Sequence, residues 1–229
     1  MSSVNQLAAA LDQALDSDIS ASARLRVESR KQLLAYLGLI QKWNKVFNLT
    51  AIRQSEEMLS LHLLDCIWAV LAIERLSGAP SIVVDVGSGA GLPGVVMAIA
   101  WPQAQIHCVD TVSKKAAFIH QVRAELSLAN LHGHHRRIED FSLPKAPDLI
   151  TCRAYATIAQ LFDTSRHLVQ PPTRIAAMKA KLTVIEDELS QAKEKLQSSG
   201  FNHHHIEPLH IPTLDGERHL VMLSQQALI

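Results

Sequence analysis

The chain has 229 residues, with 22 Lys+Arg set against 22 Asp+Glu, 48% hydrophobic and 19% charged residues. That length suits one domain with a small extension, and the composition excludes a disordered chain or a bare coiled coil. The neutral balance argues against a generic polyanion binder, and three Trp, two Tyr and five Phe leave little for stacking unpaired bases.

Residues up to about 75 carry a helical pattern. Val4–Leu15 is a short amphipathic stretch, and Ser20 or Ser22 is placed to cap a longer helix through Leu25, Leu33, Leu34, Leu37 and Ile40 towards Trp43. Tyr36, Trp43 and Phe47 share one side of it and read as core aromatics. Ser55, followed by Glu56 and Glu57, caps a further helix to about Ile73. From Pro80 the grammar changes. Strands are predicted at 81–86, 105–109, 131–135, 148–152 and 174–179, with helices at 93–101, 113–128, 157–169 and 182–198 between and after them. A closing strand pair, 203–210 and 219–223, flanks the Asp215-Gly216 turn signal. The alternation implies a mostly parallel sheet with helices on both faces and one antiparallel member. The organisation expected is a helical cap over 1–75 and an α/β core over 76–229, in one compact unit.

Cys66, Cys108 and Cys152 lie in apolar contexts and read as buried free thiols of a reducing cytosol, without a zinc spacing or disulfide framework. The cluster 8–11 is too short for a signal segment and the uncharged run 66–73 is far short of a membrane span. A soluble cytoplasmic protein without a membrane partner is expected.

Four of the nine glycines crowd into Asp85-Val86-Gly87-Ser88-Gly89-Ala90-Gly91-Leu92-Pro93-Gly94, between the first predicted strand and a helix. Such a loop lets a ligand approach the backbone closely. Gly89, Gly91 and Gly94 match a dinucleotide fingerprint, but Asp85 just before the loop would repel a pyrophosphate. It suits instead a cationic ligand with an amino-acid head, such as S-adenosylmethionine. Asp110, at the tip of the second strand, is placed to hold ribose hydroxyls. After the third strand comes Arg136-Arg137-Ile138-Glu139-Asp140, where enzymes using that cofactor tend to contact adenine; seen alone it reads equally as a charged loop.

These residues and others resemble the RsmG (GidB) family of bacterial 16S ribosomal RNA guanine-N7 methyltransferases. The similarity rests on Trp43-Asn44, Asn48-Leu49-Thr50-Ala51-Ile52, His62-Leu63-Leu64-Asp65, the glycine loop through Leu-Pro-Gly, Lys114-Lys115 with Phe118, Arg137-Ile138-Glu139, Arg153-Ala154 and the segment 216–221. It departs at Lys179-Ala180, where the family has Lys-Gly, and at Cys66, where it has Ser. The resemblance implies a class I S-adenosylmethionine-dependent methyltransferase: a Rossmann-like, mostly parallel seven-stranded sheet with one antiparallel strand and an N-terminal helical extension. It implies that Gly87 and Leu92, with Asp85, Gly89 and Gly91, form the cofactor loop, that Asp110, Ile138 and Glu139 hold the nucleoside, and that Arg153 borders the methyl donor. The product would be S-adenosylhomocysteine, and no metal is implied.

Guanine N7 has an in-plane lone pair and no proton, so no general base is expected; positioning falls to Asn48, His62, Asp65 and Arg153. Arg53 is a further candidate beside the base. Arg24, Arg26, Arg30, Lys31, Lys179 and Lys181 are candidate phosphate contacts. The twelve histidines could add positive charge at lower pH, and the run His203-His204-His205 reads as a surface feature, since alternate residues of a strand point to opposite faces. The expected partner is 16S RNA in a small-subunit particle, engaged by a monomer. Two alternatives stay open: a methyltransferase with another substrate, and a catalytically silent ribosome-assembly or division-linked binding protein.

Overall fold

The computed structural model describes residues 3–225. Helices α1 (Ser3–Asp16), α2 (Ile19–Arg24) and α3 (Val27–Phe47) open the chain. The serines at 20 and 22 do not cap a long helix. Asp18 caps α2 by accepting from Ala21 N at 2.9 Å, and Leu25-Arg26 breaks the chain before α3 starts. A carboxylate is the stronger acceptor for the free N–H groups of a first turn. Likewise Ser55 is the first residue of α4 (Ser55–Met58), and no side chain caps that turn. The helix then widens into a π-helical turn over Leu59–Leu64 before α5 (Asp65–Ser77).

The core follows as β1 (Ile82–Val86), α6 (Gly94–Ala100), β2 (Gln105–Asp110), α7 (Ser113–Glu125), β3 (Leu131–His135), β4 (Leu149–Arg153), α8 (Ile158–Ser165), β5 (Arg174–Lys179), α9 (Leu182–Ser198), β6 (His203–Pro208) and β7 (His219–Ser224). Short 3-10 turns at Ile138–Asp140 and Arg166–Leu168 complete it. The strands form one sheet in the order β3-β2-β1-β4-β5-β7-β6. Only β7 runs against the rest, paired antiparallel to both β5 and β6. The Asp215-Gly216 signal marks a bend in a longer connection, 209–218, rather than a tight hairpin.

Strand residues alternate between two apolar layers, as a pleated backbone requires. Val83, Ile106, Leu149 and Met222 face α6, α7 and the N-terminal helices, while Val84, Ile150, Ile175 and Val221 face α8 and α9. Leu11, Leu15, Leu33, Leu37, Ile40 and Ile67 join the first layer, so the N-terminal helices and the sheet share one continuous apolar cluster. Tyr36 is fully buried and Trp43 packs on Phe118 with ring centroids 5.2 Å apart, but Phe47 is 38% exposed, contrary to its expected core position. Cys66, Cys108 and Cys152 are buried and free. Among the described residues no helix is long and apolar enough to cross a membrane.

Candidate functional site

The strand order reverses direction around β1, so a crevice opens at the carboxyl ends of β1, β2 and β4. There the chain turns through Gly87, Gly89 and Gly91 at φ of 65°, 60° and 88°, a region L side chains rarely enter. Asp110 pins this loop: its Oδ2 accepts from Gly89 N and its Oδ1 from Val112 N, both at 2.9 Å. Lys115 Nζ stands 3.5 Å from the same carboxylate. Each oxygen keeps a second lone pair, and Asp110 lines the crevice, so it remains available to a ligand's hydroxyls.

Asp85 is not where the sequence suggested. It lies wholly buried beneath the loop instead of on the cavity wall, with Oδ2 accepting from Gly94 N at 2.9 Å and Oδ1 without a donor. Burial pushes its pKa up to about 7. Gly94 has to be glycine, because a Cβ there would lie 2.4 Å from Cys108 Sγ and 2.8 Å from Asp85 Oδ2.

The crevice is a cavity of about 240 Å³ whose wall includes Gly87, Asp110, Lys115, Arg136, Ile138 and Tyr155. Gly89, Gly91 and Leu92 shape the loop from behind rather than line the space, and exposed Glu139 also lies off the wall. Tyr155 was not anticipated. Its ring presses on Gly87 so closely that a Cβ at that glycine would fall 2.2 Å from Cδ2. The available signal was an aromatic two residues beyond a strand tip in a chain with few aromatics.

A second cavity, about 420 Å³, adjoins the first through Ala154, which lines both. Ala154 has φ 51°, a left-handed conformation unusual for alanine. Arg153, His62, Asp65, Lys179 and Arg218 line this second space. The π-helical turn and the first residue of α5 present the groups that fix Arg153: Nη1 donates to Leu61 O at 2.9 Å and approaches Asp65 Oδ2 at 3.4 Å, and Nη2 lies 3.3 Å from His62 Nδ1. Irregular helical turns of this kind recur at functional sites. Burial, aided by the Arg153 charge, lowers the His62 pKa to about 4, so the imidazole is neutral at physiological pH. Its Nε2 stands 2.8 Å from Thr50 Oγ1, and buried Asn44 accepts from Thr50 N and donates to Ile52 O. Asn44 and His62 thus clamp the loop 48–53 beside the cavity. Asn48 itself ends α3 with φ 48° and points outward, accepting from Arg53 at 3.3 Å; neither of these two lines the space.

The candidate phosphate contacts divide. Arg24 is paired with Glu74 near the carboxyl end of α5, which leads into the amino ends of the strands, away from both cavities. Arg30 is spent on Asp12, Asp16 and Leu25 O. Lys179 donates to Ala156 O at 2.7 Å and pairs with Glu188, so it holds the rim rather than a free ligand. Arg26, Arg53 and Lys181 are exposed, and Lys31 is exposed beside Glu28. Arg218 was quoted in a motif but not as a site residue, although it lines the second cavity. Histidine charge is also more restricted than expected: burial holds His62, His107 and His134 at about 4. His203, His204 and His205 are exposed on the edge strand β6, and among the described residues no group of three His, Cys, Asp or Glu forms a metal site.

The first cavity fits S-adenosylmethionine. Asp110 offers acceptor positions for a ribose diol and Ile138 an apolar surface for the adenine, while Asp85, buried below the glycine loop, shapes the cradle rather than touching the space. Comparison with known proteins shows the family and the fold. Residues 29–221 match the family model described as GidB, rRNA small subunit methyltransferase G. A ribosomal RNA small subunit methyltransferase G of Leptothrix cholodnii is 46% identical over 198 residues, covering 86% of this chain and 87% of the relative. One from Methylibium petroleiphilum is 40% identical over 221 residues, covering 96% of each. Among solved structures, an O-methyltransferase from Bacillus cereus in complex with S-adenosylhomocysteine superposes with a TM-score of 0.59 at 11% identity, covering 96% of this chain and 99% of that one. A precorrin-6y C5,15-methyltransferase from Geobacter metallireducens gives 0.53 at 13% identity, covering 71% and 87%. At those identities the likeness is one of fold, that of the class I methyltransferases.

Proposed function

We infer, because the chain belongs to the rRNA small subunit methyltransferase G family, that it methylates N7 of a specific guanine in the decoding region of 16S ribosomal RNA. The observation that carries this reading is the pair of cavities meeting at Ala154, one suited to a nucleoside cofactor and the other lined by Arg153, Arg218, Asp65 and neutral His62. When bound, S-adenosylmethionine supplies a methyl group on a sulfonium and leaves as S-adenosylhomocysteine. The protein's part is to hold the two reactants in line, a proximity effect worth about 7–11 kcal/mol. Arg153, fixed by three partners on one helical turn, gives the acceptor cavity a rigid cationic wall. With a pKa of about 4 and its two ring nitrogens engaged by Thr50 and Arg153, neutral His62 is a poor proton acceptor. That suits an acceptor nitrogen with no proton to lose.

The charge balance supports a structured substrate over free RNA. With no net charge and several basic side chains paired internally, affinity for arbitrary RNA is weak, and a structured small-subunit particle in the cytoplasm, met by a monomer, is the partner proposed. The deciding experiment is a deletion strain probed by borohydride and aniline cleavage of its 16S RNA. Loss of one 7-methylguanosine, restored by the gene, is expected; an unchanged modification map would overturn the assignment.

A further inference from the structure

The acceptor cavity holds a carboxylate whose hydrogen bonding is incomplete. Asp65 is 5% exposed, at the junction of the π-helical turn and α5. Oδ1 is buried and accepts no hydrogen bond; its nearest cation is Arg218 Nε, at 3.6 Å. Oδ2 meets Arg153 Nη1 only at 3.4 Å. Both approaches are longer than the 2.7–2.9 Å of a good charge-assisted hydrogen bond. A buried acceptor left in this state is costly, and its retention calls for a donor that arrives with a ligand. The desolvation shows in the carboxyl group itself, which is held above its ordinary pKa despite two neighbouring guanidinium groups.

The chemistry of a matching donor is narrow. The cavity is wide enough for a purine, Arg153 and Arg218 leave one positive charge in excess of Asp65, and Lys179 is neutralised by Glu188. Arg218 covers Oδ1 but its side chain is 26% exposed and held at long range, so it can swing outward to a phosphate. A planar ring with two adjacent N–H donors would then satisfy the freed carboxylate. Guanine has that pair at N1–H and the N2 amine. Adenine turns a lone pair towards the same position.

We propose that Asp65 is the residue that selects guanine, accepting from N1–H and the N2 amine, and that its charge offsets the positive charge the ring gains when N7 is methylated. This rests on the reading above that the second cavity receives the target base. The covalent step is unchanged: the N7 lone pair forms the new N–CH3 bond as the S–CH3 bond breaks, its electrons return to sulfur, and no proton moves.

The test pairs a protein change with a base change. Small subunits are reconstituted with 16S RNA carrying guanosine or inosine at the target, inosine lacking only the N2 amine, and methylated by the parent protein or by Asp65→Asn. The parent should lose about ten- to hundredfold in kcat/KM on inosine, as expected for a lost hydrogen bond to a charged group. Asp65→Asn should be slower on guanosine, nearly indifferent to the amine, and unchanged in S-adenosylmethionine affinity by calorimetry. A parent protein that methylates both substrates equally overturns the proposal without any variant needing to fold. So does an inosine penalty that persists undiminished in Asp65→Asn, which would place the amine against another residue. A parent protein silent on guanosine overturns the functional reading and this proposal together.

Discussion

At Gly87 two requirements coincide, since its φ of 65° disfavours any side chain and its open Cα supports the Tyr155 ring. Gly87→Ala adds a methyl group inside van der Waals contact of that ring, together with a left-handed backbone cost of about 1–2 kcal/mol. Isothermal calorimetry should show S-adenosylmethionine affinity reduced at least about tenfold, with the fold retained by circular dichroism. Arg153 gives a second test. Arg153→Gln leaves Asp65 buried with a weaker counter-charge, and losing one partner of such a pair costs about 3 kcal/mol or more, measurable by urea unfolding. It also removes a cation beside His62, so the His62 titration followed by NMR should rise from about 4 while staying below 6.5, because burial, the larger cause, remains.

The elements show how far local pattern reaches. All seven strands and the helices that alternate with them were legible from β-branched runs, glycine stops and helical periodicity, because regular elements with one buried face carry their geometry in their spacing. The glycine loop and Asp110 were legible for the same reason. Other features were not. The break at Leu25-Arg26 and the π-helical turn at Leu59–Leu64 arise from packing of the N-terminal helices on the sheet, which periodicity does not encode. Asp85 looked like a ligand-facing carboxylate because a strand tip does not reveal which of its two faces a side chain takes relative to the loop above. Arg24 and Arg30 looked free because their partners, Glu74 and the α1 aspartates, are distant in sequence or on another helix. A buried connector makes the element scale testable. Asn130, just before β3, donates from Nδ2 to Ala98 O, Trp101 O and Ala104 O at 2.9–3.2 Å, tying the end of α6 to the β2–β3 edge. Asn130→Ala leaves those carbonyls short of a donor and should lower unfolding stability by about 1–3 kcal/mol, without altering acceptor selectivity.

For the whole molecule, acidity should be the weak direction. His62, His107 and His134 titrate near 4 when folded against 6.5 in the unfolded chain, so between those values the unfolded state binds protons that the folded state refuses. Asp85 acts oppositely: folded it holds its proton up to about 7, while the unfolded carboxylate has released it by about 3.8. His132 is lowered with these imidazoles and Asp65 raised with Asp85, so four groups against two leave the unfolded state binding more protons, and stability rises with pH from about 4 to 6.5 and is lost on acidification through that window. Thermal melts at pH 4.5 and 7 check the sign. Asp85→Asn removes one of the two opposing carboxyls and should steepen the acid loss; a shallower loss would show that Asp85 is not the buried acid described.

The apolar cluster common to the N-terminal helices and the sheet has a consequence for inheritance of function. A catalytic core that meets its substrate-binding region through a thin polar seam can exchange that region by recombination and keep folding. Here a foreign N-terminal region would arrive with its own side chains in the middle of someone else's core, and the hybrid would lose packing before it gained a substrate. The cavity proposed for the acceptor base hangs from that same region, through Leu61, His62 and Asp65 holding Arg153. On that proposal, choice of substrate and thermodynamic survival are tied to one set of residues. New specificity in such a chain would have to come by small substitutions around the acceptor cavity, not by trading modules.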